Sequence, residues 1–220
     1  MIPGLGQATL LALFGGALYG GDEATERTQA FELQHVVPTQ AARQIHLTNA
    51  SWFFAEQPHF GGRLTLKLGA TASRASGRIE QTSGSFEDGT FRAETLDSAA
   101  WGLGPTVGAS LRLAQAGRAT LALDASGSLM FYDRAFPSGG TRVNGMLQAG
   151  PSVSWDLSRG GNVTLGARWL HISNGQGLGA HNPAYDGRGL YAQWQRPLRG
   201  KGTSGAAGTA PSPARSGALG

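Results

Sequence analysis

The chain has 220 residues, room for one sizeable domain, with 35 glycines, no cysteine and only 15% charged residues. Without cysteine there is no disulfide framework and no thiolate metal site. The net charge of +4 is spread out rather than gathered into a nucleic-acid-binding stripe, and no run of about 18 apolar residues offers a transmembrane helix.

Residues 1–27 read as a signal or leader segment. Residues 8–20 are small and apolar, with the length of a secretory core, although residues 1–7 carry no Lys or Arg. From residue 28 to 198 the dominant period is two, the signature of strands with one apolar and one polar face. Residues 29–37 and 43–54 are less regular runs of this kind. In residues 63–73, Leu64, Leu66, Leu68, Ala70 and Ala72 alternate with polar or small residues. After a polar stretch at 74–98, Trp101, Leu103, Val107, Ala109 and Leu111 share one face of residues 101–113, with Gly, Thr, Ser and Arg on the other. Residues 119–132 and 143–155 repeat the pattern, as do 163–174 and 187–196. That gives about eight strands, several with the ~9–11 residues needed to cross a bilayer. Residues 199–220 are Gly, Ala, Ser, Thr and Pro with scattered charge, the composition of a disordered tail.

The connections sort by length. Residues 114–117 and 158–161 are tight turns, whereas 74–98, 133–142 and 175–186 are longer and polar. Short turns at one end and long loops at the other are the plan of an outer-membrane barrel. Strand direction then places Trp101, Phe131 and Trp169 near the long-loop end of the apolar face, and Trp155 and Trp194 near the short-turn end, as two interfacial girdles. The polar face carries few charges, and Lys67, Arg112, Asp124, Arg168 and Glu32 could pair inside a narrow lumen. A soluble barrel would show a Lys- and Glu-rich polar face to water instead. The expected fold is an all-β, eight-stranded antiparallel transmembrane β-barrel.

One strand carries chemistry. Val163, Leu165, Ala167, Trp169, His171 and Ser173 fall on one face, so a base and a hydroxyl end an apolar stripe. Two residues of rise, roughly 6.6–6.8 Å, are within reach of an imidazole leaning along the strand. Serine needs such a base to become nucleophilic, and a third group to hold the ring in the useful tautomer. Asp186 opens the following strand, where antiparallel pairing can set it beside His171. Asn174, Asn182 or backbone N–H groups around Gly175 could donate to an oxyanion. Spacing alone leaves the blander reading open: an interfacial histidine, an ordinary strand serine, and Asn-Pro and Asp-Gly turn formers.

Residues 168–186 resemble the signature of the lipid A 3-O-deacylase (acyloxyacyl-hydrolase-like) family of outer-membrane barrels. That signature has His-x-Ser-Asn at the end of the penultimate strand, a short Gly-containing loop, Asn-Pro-Gly, then an acidic or amide residue. His171, Ser173, Asn174, Asn182 and Pro183 match it. Ala184 stands in place of Gly, the loop is a residue longer, and Asp186 replaces a glutamate. The resemblance implies Ser173 as nucleophile, His171 as general base and Asp186 as its acidic partner.

The implied substrate is lipid A of lipopolysaccharide in the bacterial outer membrane, cleaved without a cofactor. A homodimer is compatible with the family. The five histidines show no metal-ligand spacing. Arg134, Arg142, His181 and Arg188 lie near the outer rim, where they could contact phosphates or simply be solvated. The competing readings are a non-catalytic outer-membrane barrel acting as adhesin, receptor or anchor, and a soluble ligand-binding barrel.

Overall fold

Alternation of side chains dictates a sheet with two unlike faces, and a computed structural model shows how the sheet closes. It describes residues 28–85, 89–157, 160–175 and 183–197. The leader assigned to residues 1–27 and the tail assigned to 199–220 lie outside the described residues. The strands are β1 (Thr28–Pro38), β2 (Arg43–His59), β3 (Leu64–Ser85), β4 (Thr90–Asp97), β5 (Ala100–Ala116), β6 (Ala119–Phe136), β7 (Thr141–Asp156), β8 (Asn162–Ser173) and β9 (Tyr185–Pro197). They pair antiparallel in the order β2-β1-β9-β8-β7-β6-β5-β3-β4, and β2 pairs again with β3. Eight strands therefore close into a barrel, and β4 stands outside the ring against β3.

β4 comes from residues 74–98, which the sequence reading takes as a loop. Here β3 and β4 form a hairpin that continues past the rim, with Arg78 paired to Asp97 and Ser85 to Thr90. The period of two persists, with Ala75 and Ile79 buried and Arg74, Ser76, Arg78 and Glu80 exposed. The outward face turns polar because this part of the hairpin clears the apolar band, and that change of polarity hides the strand from a hydropathy pattern. The opposite departure occurs at residues 39–42, a four-residue turn at the long-loop end.

Outward faces are apolar, as expected for a wall against lipid. Trp101, Phe131 and Trp169 are exposed toward the long-loop end, and Trp155 and Trp194 toward the short-turn end. The lower set is wider than expected, since register puts Trp52, Phe31 and Trp194 side by side across β2, β1 and β9.

The bore is filled in three zones. At the short-turn end, Glu56 accepts from Thr28 at 2.6 Å and from Gln195, and faces Lys67 at 3.9 Å. At mid-height, Arg168 forks onto Glu32 at 2.6 and 2.9 Å and lies 3.8 Å over the Tyr191 ring, whose hydroxyl donates to Asp124. Gly166 makes room for that ring, because a Cβ there would stand 2.4 Å from Tyr191 Cε1. A chain of hydroxyls, Ser51–Thr71–Thr106–Ser128, links four strands at 2.7–2.8 Å. At the long-loop end the filling is apolar, with Val36, Leu47, Met130, Phe136, Leu170 and Tyr185 buried together. The lumen is thus not polar throughout. Along β8 the inward residues change from Thr164 and Arg168 to Leu170 and Ile172. Arg112 also departs from expectation: it bonds Gly61 O and Gln115 Oε1 near the short-turn end instead of joining the interior pairs.

Candidate active site

β8 is positioned by its two neighbours. Leu147 on β7 and Asp186 on β9 flank His171 in register, and Gly145 lies across from Ser173. His171 and Ser173 both face outward and are half-buried, above the exposed Trp169. The imidazole stacks on the Trp169 ring, centroids 5.7 Å apart and planes within 16°. That stack and the neighbouring strand leave the ring few orientations.

The Nδ1 atom of His171 lies 2.8 Å from Asp186 Oδ1, so the carboxylate accepts the Nδ1 proton and leaves Nε2 as the basic nitrogen. Asp186 is itself held from the turn at residues 39–42. Thr39 donates to the Asp186 carbonyl through N at 3.1 Å and Oγ1 at 3.0 Å, and Gln40 Nε2 donates to Oδ2 at 3.3 Å. The Arg43 guanidinium, at the start of β2, interacts electrostatically with the same carboxylate. Thr39, Gln40 and Arg43 are absent from the sequence reading. No local motif marks them, because Gln40 precedes Asp186 by 146 positions.

Ser173 shares the outward face, but among the described residues its hydroxyl makes no hydrogen bond to His171. In substrate-free enzymes such contacts are often long and tighten on binding. Asn174 is 4% exposed, which places its side chain on the inward side of the strand end. Gly175 has a φ of +67°, a left-handed conformation that glycine adopts without a Cβ penalty, and it turns the backbone directly after Asn174. Asn182 lies outside the described residues, as does His181. No cluster of His, Cys, Asp or Glu suited to a metal occurs among the described residues.

A groove runs over the outer wall from this point. Its floor is made of small residues, Ala109, Ala125, Gly127 and Gly145 on β5, β6 and β7, and Leu147 and Trp169 form its edge toward β8. Because Gly145 opposes Ser173, the groove opens beside the serine. A second hollow also borders Trp169; it reaches from Ala149 and Pro151 on β7 across Ala167 on β8 to Leu190, Arg188 and His35 on β9 and β1. Trp169 is the ridge between them.

A base, an oriented carboxylate and a hydroxyl stand on a lipid-facing wall beside an apolar groove. The sequence model of the family described as "Lipid A 3-O-deacylase (PagL)" matches residues 41–195, well over half of the chain. The chain belongs to the lipid A 3-O-deacylase (PagL) family. Membership implies a lipid A deacylase, and the strands show it built on an outer-membrane-type barrel. No curated protein sequence matches. Among solved structures, the chain is similar to the β domain of the Bordetella autotransporter BrkA at 11% identity and a TM-score of 0.29, covering 79% of this chain and 99% of that one.

Proposed function

We propose that this family member removes the 3-O-linked acyl chain of lipid A by attack of Ser173, with His171 as general base and Asp186 as the orienting acid. In the first step His171 Nε2 takes the Ser173 proton as Oγ bonds to the ester carbonyl carbon. The sugar hydroxyl then leaves with that proton, and the acyl chain stays on Ser173. Water, deprotonated by His171, releases the fatty acid. Backbone N–H groups at the Asn174–Gly175 bend, with Asn182 on the following loop, supply the oxyanion donors.

The 2.8 Å His171–Asp186 contact on the outward wall carries this reading, since it fixes the tautomer in which Nε2 is free to act. Position supports it too. A polar pair on a lipid-facing stripe costs only about 0–1 kcal/mol near the interface, against several at the midplane. At that depth the ester at the sugar–acyl junction need not leave the bilayer. The groove beside Gly145 is apolar, which suits the scissile chain. Family membership and the barrel together support a place in the bacterial outer membrane.

Mass spectrometry of lipid A from membranes with and without the protein tests this directly. The wild type should release a hydroxy fatty acid, and Ser173→Ala should stop release while the barrel still migrates as a folded, heat-modifiable species. Undiminished release from Ser173→Ala overturns the nucleophile. A non-catalytic barrel predicts unchanged lipid A and a silent His171→Ala.

A further inference from the structure

We propose that Arg188, His35 and His46 form a subsite for a phosphate of the glycolipid, on the side of β8 away from the acyl groove. It rests on the lipid A reading and adds to it a second point of recognition. All three face outward near the long-loop ends of β9, β1 and β2, three consecutive strands of the wall. Arg188 follows Asp186 on the same face of β9, about 7 Å along the strand, so the subsite adjoins the catalytic group. Val37 separates Arg188 from β2 in register, and His35 lies one step lower beside Leu190. His35 and His46 stack with centroids 5.7 Å apart and planes within 24°.

Two physical points favour an anion here. An outward guanidinium on a lipid-facing wall is stable only if it reaches water or a counter-charge, and among the described residues Arg188 has neither a hydrogen bond nor an ion pair. Its planar fork matches phosphate oxygens in pairs, and the adjacent imidazoles add N–H donors from the next two strands. On β3 the cations flanking His46 are engaged elsewhere: Arg74 lies 5.2 Å from the Trp101 ring, and Arg78, which shares a hollow with His46 and Asp97, bonds Gln44 Oε1 at 3.4 Å. Around the cations the wall is apolar: Trp169 stands beside Arg188, Leu190 beside His35, and with Ala167 they line the same hollow. Cations set in an apolar wall suit a molecule that carries phosphate and acyl chains together. Such a molecule would straddle the Trp169 ridge, with its ester at Ser173 and its phosphate at Arg188.

The test uses full-length Ser173→Ala protein in nanodiscs free of anionic lipid, titrated with lipid A bearing its phosphates and with the same lipid dephosphorylated. The phosphorylated form should bind about tenfold more tightly. In the background of Ser173→Ala, adding Arg188→Gln, His35→Gln and His46→Gln together should erase that preference. Arg188→Gln alone should remove most of it, which keeps the test available if the triple variant does not fold. Equal binding of the two lipids, or a preference that survives these substitutions, overturns the subsite. Phosphatidylglycerol competing as well as phosphorylated lipid A overturns the glycolipid assignment in favour of any anionic headgroup. The preference is read without turnover. If it is present while wild-type protein releases no fatty acid, the esterase reading fails and the subsite stands; release without preference means the reverse.

Discussion

At the scale of single residues, the proposed mechanism turns on which proton His171 keeps. Asp186 fixes it on Nδ1, so Asp186→Asn should lower kcat for fatty-acid release by about 10³–10⁴, because an amide can stabilise the wrong tautomer and cannot balance the imidazolium. Substrate KM should change far less, and the two are separated by initial rates over a range of lipid A concentrations. Gln40 holds only the second carboxylate oxygen at 3.3 Å, so Gln40→Ala should cost a smaller factor, about 2–10, in the same assay. The proximity of His171, Ser173 and Asp186 could be read from the sequence because strand alternation and one hairpin relate all three. The register places His171 opposite Asp186, which that reasoning anticipates. Thr39, Gln40 and Arg43 could not, since only closure of the barrel, which pairs β1 with β9, brings the turn between β1 and β2 up to Asp186.

At the scale of elements, β8 serves two faces at once. Its inward residues anchor the bore and its outward ones carry the base and hydroxyl, so a one-residue slip would exchange them. The groove beside β8 depends on small residues lying next to each other on three strands. Ala125→Phe or Gly127→Leu should fill it, and a Cβ at Gly127 would already stand 3.4 Å from Leu147 Cδ2. Either change should reduce cleavage of long-chain lipid A about tenfold or more relative to a soluble short-chain ester, read as the ratio of the two rates. The strands that cross the apolar band were legible because their two faces differ. β4 was not, since Arg92, Ala93, Glu94 and Thr95 are all exposed, so polarity no longer reports orientation there. The groove was equally hidden, because alanine and glycine look alike in an alternating pattern wherever they fall.

At the scale of the whole molecule, the barrel is tied together across its interior. Arg168 and Glu32 are almost wholly buried and bond each other twice, joining β8 to β1 across β9. Arg168→Ala would strand the Glu32 carboxylate and should cost about 3–5 kcal/mol, whereas replacing both by apolar residues of similar volume should recover most of it. Urea unfolding in phospholipid vesicles measures both. The charged residues of this pair were visible in the sequence as inward positions, but the apolar filling near the rim was not, because Leu170, Ile172 and Tyr185 interrupt an otherwise polar face. That filling has a physiological meaning. Phe136, Met130 and Tyr185 pack together inside the long-loop end, so insertion into planar bilayers should give no stepwise conductance. A barrel filled in this way would let the deacylase activity that its family implies work within a membrane without opening a pore through it.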